Sequence, residues 1–120
     1  RGAIENTELG NGVKLDNHVQ IAHNARVGDN TVMAAYSGLA GSANVGKNCI
    51  LAGDVCVVGH IEVCDDVQFT ARTLVTKSIT EPGSYSSGST PLMTTVEWRK
   101  NSVRIGQLDK LARQIKKSLD

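Results

Sequence analysis

The chain repeats its hydrophobic signal every six residues. From Ala3, steps of six land on Leu9, Leu15, Ile21, Val27, Met33, Leu39, Val45, Leu51, Val57, Val63, Phe69 and Val75. The residue four places after each step is small or apolar too, from Thr7 and Val13 through Ala25, Ala43 and Cys49 to Thr73 and Ile79. Thirteen six-residue units run this way without insertion. An α-helix repeats at about 3.6 residues and a simple strand at about 2, so neither gives a strict period of six. The pattern predicts a parallel β-helix in which the first and fifth residues of each unit point inward. Three units close one triangular coil of such a helix, so residues 1–80 predict a little over four coils. Adjacent coils should stack at about 4.8 Å, the spacing of paired strands.

The period breaks at residues 81–93, where Glu81-Pro-Gly-Ser-Tyr-Ser-Ser-Gly-Ser-Thr-Pro-Leu92 reads as a loop or linker. From Thr94 to the end at Asp120 the spacing turns helical. Leu108, Leu111, Ile115 and Leu119 form one stripe, which Val96, Val103 and Ile105 extend more weakly. Gly106 is placed to interrupt or kink this helix. A lone helix of this length is marginal in water, so its stripe needs a partner: the β-helix body or sister helices in an oligomer.

Composition supports a solenoid rather than an ordinary globular core. Aromatics make up only 3% of the chain, and its 12 glycines suit coils that bury small stacked side chains. The repeat is already running at Ala3, after an initial Arg1, and we expect further coils upstream. No run approaches the ~18 apolar residues of a membrane span. The three cysteines, Cys49, Cys56 and Cys64, are odd in number and form no C-x-x-C pair, which favours a reducing, cytoplasmic location. The net charge of +1 hides an asymmetry: residues 1–93 carry six basic and nine acidic side chains, residues 94–120 seven and three. The helical tail is therefore the half suited to an acidic partner.

The coil arithmetic places the histidines. His23 is the third residue of its unit and points outward. Gly41 is the third residue of the unit one full coil later, at the same place, with no side chain to block an approaching substrate. His60 is the fourth residue of a unit two coils further on, which sets it about 10 Å from His23 along the same edge of the prism. That separation excludes a direct hydrogen bond and suits two groups lining one cleft. A solvated surface histidine is the plain alternative for each of them.

Three longer segments resemble a known family. Leu15-Asp-Asn-His-Val-Gln-Ile-Ala-His-Asn24, Val58-Gly-His-Ile-Glu-Val-Cys-Asp65 and Ser78-Ile-Thr-Glu-Pro-Gly-Ser-Tyr-Ser-Ser-Gly88, followed by Glu97-Trp-Arg-Lys100, are similar to segments of the UDP-3-O-(3-hydroxyacyl)glucosamine N-acyltransferases of lipid A biosynthesis. The resemblance implies a mainly β fold: a left-handed parallel β-helix with a C-terminal α-helical extension. Periodicity does not reveal that hand, and the usual crossover rule favours the opposite one. The resemblance further implies a homotrimer with a site in each cleft between neighbouring β-helices. The family moves a 3-hydroxyacyl chain from acyl carrier protein, carried on its 4'-phosphopantetheine arm, to the 2-amino group of the UDP-sugar, and it needs no other cofactor.

By the same resemblance His23 is the general base, and the Gly41 backbone N–H is the oxyanion donor. His60, Asp16, Gln20 and Asn24 fall on polar positions around the substrate, and Leu74 stands where relatives place a gauge of acyl length. Thr70-Ala71-Arg72 departs from the Thr-Gly-Met common in the family, which bears on the chain length accepted. The family also carries an N-terminal uridine-binding domain and earlier coils that this sequence does not show. In the tail, Arg99, Lys100, Arg104, Lys110 and Arg113, with Lys116 and Lys117, are candidates to dock the acidic carrier protein. A solvated helix face is the alternative there.

Two other readings stand beside this one. Trimeric γ-class carbonic anhydrases use a similar β-helix and bind zinc through three histidines, and His18 and His23 have an H-x4-H spacing. Hexapeptide coils also serve as non-catalytic trimerisation modules, because fold does not fix function. The longer segments favour the acyltransferase, with no metal, no nucleic acid and no membrane span.

Overall fold

A computed structural model of the protein describes residues 6–88 and 91–120. In chain order the strands are β1 (Glu8–Leu9), β2 (Lys14–Leu15), β3 (Gln20–Ile21), β4 (Arg26–Val27), β5 (Val32–Met33), β6 (Gly38–Leu39), β7 (Asn44–Val45), β8 (Ile50–Leu51), β9 (Cys56–Val57), β10 (Glu62–Val63), β11 (Val67–Phe69), β12 (Leu74–Val75) and β13 (Gly83–Tyr85). They wind into three parallel sheets. Sheet A runs β1-β4-β7-β10, sheet B β2-β5-β8-β11-β13 and sheet C β3-β6-β9-β12. Partners sit three sequence units apart, as in Glu8 with Arg26, Lys14 with Val32 and Gln20 with Gly38. The six-residue period therefore builds a parallel β-helix of about four turns.

The corners explain why strands of two residues suffice. Gly12, His18, Asn24, Asn30, Tyr36, Ser42, Asn48, Asp54, His60, Asp66 and Arg72, every sixth residue, have positive φ. Each turns the chain by about a third of a circle. From Asn30 onward each of these residues donates its amide to a carbonyl one coil back, as from Asn48 to Asp29 at 2.9 Å. The corner between sheets A and B uses only Gly12, Asn30, Asn48 and Asp66, residue types that tolerate this backbone. The other two corners place Tyr36, Arg72 and His60 there, at a steric cost.

Inward side chains fill the prism. Met33, Leu39, Leu51, Val55, Val57, Val67 and Phe69 are buried, as are Ala25, Ala43 and Cys49 at the corners. Full burial of a Val or Leu side chain contributes about 1.5–3 kcal/mol, so the ladder of inward residues supplies the main stabilisation. Buried hydroxyls are matched locally. Thr31 Oγ1 donates to the Gly46 carbonyl at 2.7 Å and accepts from the Cys49 amide at 3.1 Å.

The period breaks differently from the sequence expectation. Ile79, expected at an inward corner position, instead pairs with Val63 in line with sheet A. That pairing falls two positions short of a full coil. The following stretch, read from sequence as loop, contains β13, which pairs with β11 at the same shortened offset, Val67 with Gly83. The Tyr85 ring lies 6.3 Å from the Phe69 ring, and its hydroxyl donates to the Glu81 carbonyl at 2.7 Å. Ser87 Oγ takes the Leu74 amide at 2.8 Å and donates to the Leu74 carbonyl at 3.0 Å.

A second compact unit comprises residues 89–120. The expected helix is two helices, α1 (Thr95–Gly106) and α2 (Leu108–Leu119), separated at Gln107. Thr94 caps α1 by accepting the Glu97 amide at 3.2 Å. Apolar residues of both helices, Val103, Ile105, Leu108, Leu111 and Ile115 among them, are more than half exposed. None of the described residues of either helix is buried.

Phe69→Ala should lower stability by about 3–5 kcal/mol in urea unfolding, because the small coils cannot close the cavity. Burial pushes the Cys49 thiol above its usual pKa, whereas Cys56 is exposed. Alkylation should therefore modify native Cys56 rapidly and reach Cys49 only on the timescale of unfolding.

Candidate functional site

The corner between sheets C and A gathers the candidate residues. It carries Ala22-His23-Asn24-Ala25 after β3, Ala40-Gly41-Ser42-Ala43 after β6 and Val58-Gly59-His60-Ile61 after β9. Backbone bonds clamp these turns together. The Ser42 amide donates to the His23 carbonyl at 2.9 Å, and the His60 amide donates to the Gly41 carbonyl at 3.1 Å. His23, Gly41 and Gly59 thus form one column, with Asn24, Ser42 and His60 beside them in the left-handed positions.

The His23 imidazole lies over Gly41. A Cβ added to Gly41 would sit 2.5 Å from His23 Nε2 and 2.6 Å from Cε1. Only glycine leaves room for that ring, so the imidazole nitrogen and the Gly41 backbone share one small space. A Cβ on Gly59 would in turn meet the Gly41 carbonyl at 2.8 Å. The column is fixed by contact as well as by coil arithmetic.

The amides at this level differ from corner to corner. Next to sheet B, those of Asn11 and Lys47 are taken by the carboxylates of Asp29 and Asp65 at 2.8 and 2.7 Å. The Asn17 amide is taken by Asp16 at 2.7 Å. At the His23 corner the residues in register with Asp29 and Asp65 are His23, Gly41 and Gly59, and those in register with Asp16 are Ala22, Ala40 and Val58, so these turns carry no carboxylate at either position. Among the described residues, none accepts the Gly41 N–H. It is left to meet a ligand beside a histidine nitrogen. An exposed imidazole next to an unclaimed backbone donor can take a proton from a nucleophile while the donor stabilises a developing oxyanion.

The other candidates divide among several places. His60 and Asn24 share the His23 corner. Gln20 and Leu74 lie in the outward row of sheet C, Gln20-Gly38-Cys56-Leu74, which runs alongside that corner. Asp16 belongs to the preceding corner, between sheets B and C. There His18 stacks on Tyr36 with ring centroids 5.1 Å apart, and Arg72 meets Asp54 at 3.3 Å. His18 and His23 thus stand at different corners. No group of three or more His, Cys, Asp or Glu among the described residues is arranged to hold a metal ion. The basic candidates Arg99, Lys100 and Arg104 lie on α1, and Lys110 and Arg113 on α2, all exposed. Arg113 pairs with Asp109 at 3.1 Å. A groove of about 690 Å³ on sheet A, lined by Glu8, Arg26, Asn44 and Glu62 among others, includes neither His23 nor Gly41.

Sequence reasoning missed the bare slot at Gly38 and the stacked pair of His18 and Tyr36. The one-coil spacing contained both.

Comparison with known proteins agrees with the fold. The family described as bacterial transferase hexapeptide (six repeats) matches residues 6–41. A UDP-3-O-acylglucosamine N-acyltransferase of Pseudomonas savastanoi pv. phaseolicola is 56% identical over 117 residues, 98% of this chain and 33% of the relative. One from Pseudomonas fluorescens strain Pf0-1 is 58% identical over 116 residues, 97% of this chain and 33% of the relative. The chain thus spans about a third of the length of these relatives. Among solved structures, serine acetyltransferase isoform 3 from Entamoeba histolytica matches with a TM-score of 0.55 at 16% identity, over 76% of this chain and 39% of that one; this likeness shows the fold alone. No helix among the described residues is long and apolar enough to cross a membrane. The hexad pattern, the parallel coils and an identity of 56% along nearly the whole sequence together make this a hexapeptide-repeat chain similar to about a third of the length of UDP-3-O-acylglucosamine N-acyltransferases.

Proposed function

We propose that the protein is an N-acyltransferase that moves a 3-hydroxyacyl chain from acyl carrier protein to the 2-amino group of a UDP-linked, 3-O-acylated glucosamine. The observation that carries this reading is the His23 imidazole lying over Gly41, whose N–H no described residue accepts. The names of the relatives supply the acylated glucosamine. The 3-hydroxyacyl donor rests on the resemblance of the Ile21-Ala-His-Asn24 and Ile79-Thr-Glu-Pro-Gly83 segments.

The chemistry follows from the residues. The sugar amine attacks the thioester carbonyl, forming a C–N bond and placing negative charge on the carbonyl oxygen. The Gly41 N–H donates to that oxygen, and His23 takes the proton released by the attacking nitrogen. Collapse of the tetrahedral intermediate breaks the C–S bond and expels the carrier-protein thiolate, which regains a proton. His60, two coils along, holds the substrate or the pantetheine arm, and Gln20 and Asn24 contact it from the same side. A second copy of the chain completes each cleft in a homotrimer and covers the exposed stripe of α1 and α2. The cations of these helices steer the acidic carrier protein toward the cleft.

In the complete protein, His23→Ala should lower kcat by roughly 10²–10⁴-fold, the usual range for a general base. An acyl-transfer assay with 3-hydroxyacyl carrier protein checks it, and full activity would reject the base. Gly41→Ala should lower kcat by a comparable factor while leaving the urea midpoint almost unchanged, because its Cβ displaces the imidazole and not the core. Reversing Arg99, Lys100, Arg104 and Lys110 together should weaken carrier-protein binding by tenfold or more at low salt and less at high salt. Titration at two ionic strengths reads this directly.

A further inference from the structure

Most glycines in the coils are there because nothing larger fits. A Cβ on Gly28 would meet the Gly46 backbone at 2.5 Å, one on Gly41 the His23 ring, and one on Gly59 the Gly41 carbonyl. Gly38 is different. Its φ lies outside the left-handed range, and a Cβ there would meet only Gln20 Cβ and the Gln20 carbonyl, both at 3.6 Å, an ordinary contact. Glycine within a strand weakens it, so neither packing nor backbone explains this one. A strand glycine without an internal reason marks a place where something from outside the chain comes close.

The position of Gly38 says what that is. It stands in the outward row of sheet C, between Gln20 and Cys56, with Leu74 beyond. The row carries no charge, Cys56 is exposed, and Leu74 is 50% exposed. Sheet A, on the far side of the His23 corner, presents Glu8, Arg26, Asn44 and Glu62 instead. The site corner thus separates a charged face from an uncharged one. Gly38 lies three residues before Gly41, within roughly 10 Å along the chain. An apolar tail leaving a carbonyl held at the Gly41 N–H has the sheet C row as its uncharged path. The distance from Gly38 to Leu74 is two strand spacings, about 10 Å.

We infer that Gly38 is a specificity-determining residue for the acyl chain. Its missing side chain opens the floor over which the tail passes from His23 and Gly41 toward Cys56 and Leu74. The inference rests on the acyl-transfer reading above and adds a second position, nearer the reacting carbonyl, at which chain length is set. A branched side chain at this position would stop the tail before it reached Leu74.

The test is Gly38→Val and Gly38→Ala in the complete protein, assayed with 3-hydroxyacyl carrier protein donors of graded length. For Gly38→Val, kcat/KM should fall at least tenfold for the longest donors and less than threefold for the shortest, with Gly38→Ala between Val and the parent. The ratio of long to short donors is internal to each variant, so a loss of folded protein does not imitate it. A length profile parallel to the parent's overturns the inference. Calorimetry with free 3-hydroxy fatty acids separates it from the reading beneath. If the parent transfers no acyl group, that reading fails. Fatty-acid binding weakened at least tenfold by Gly38→Val would still uphold the groove, and equal binding by parent and variant, or none by either, would sink it.

Discussion

The fold depends on one constraint repeated along the chain: every sixth residue takes a left-handed backbone, and from Asn30 onward its amide is tied to the coil before. This bond keeps each corner in step with the last, so strands of two residues pair without slipping. It also converts sequence distance into spatial distance. Residues one coil apart become neighbours, and a side chain keeps its corner from coil to coil. The corner of His23 and Gly41 is therefore a set of stacked turns whose spacing the backbone fixes before any side chain is chosen. In the proposed chemistry, that spacing holds a proton acceptor and an oxyanion donor in register, and positioning of this kind removes much of a reaction's entropic cost.

Side chains are then assigned corner by corner. Between sheets A and B, Asn, Asp and Gly meet the turn at little cost, and carboxylates take two of the amides. Between sheets C and A, His23, Gly41 and Gly59 stand in register with those aspartates, Asp29 and Asp65, and no described residue accepts the Gly41 amide. The imidazole above it is exposed to solvent. In the proposed chemistry the omission of a carboxylate matters, since a capping one would occupy the donor and repel a developing negative charge.

Much of this was legible in the sequence because the period is strict. The stacking of His23 on Gly41 follows from a separation of one whole coil, and the shared edge with His60 from a separation of two coils and one residue. The sequence was silent where the period changed. Ile79 fits the inward pattern in either register, so the shortened offset of its pairing with Val63 left no mark. The serines and glycines around Tyr85 read as loop because β13 is held by backbone pairing and by one ring contact, neither of which has a hydrophobic alternation. Asp16 shares its motif with His23, and strand β3 between them sets the two at different corners of the prism. The helical tail was visible as a stripe, but its division at Gln107 turns on local backbone geometry that periodicity does not record.

A solenoid grows by adding strands, and its last coil is a template for any chain able to pair with it. In this protein a single hydroxyl, that of Ser87, occupies both the amide and the carbonyl of Leu74 on the last strand of sheet C. Ser78 takes the Glu62 amide on sheet A, and β13 covers β11 on sheet B. The last strand of each sheet is met by the chain's own next few residues: Ile79 pairs with Val63 beside Ser78 on sheet A, β13 lies on sheet B, and Ser87 caps sheet C. The last coil is thus occupied from within the same chain, which leaves fewer free backbone groups for a second copy to pair with end to end.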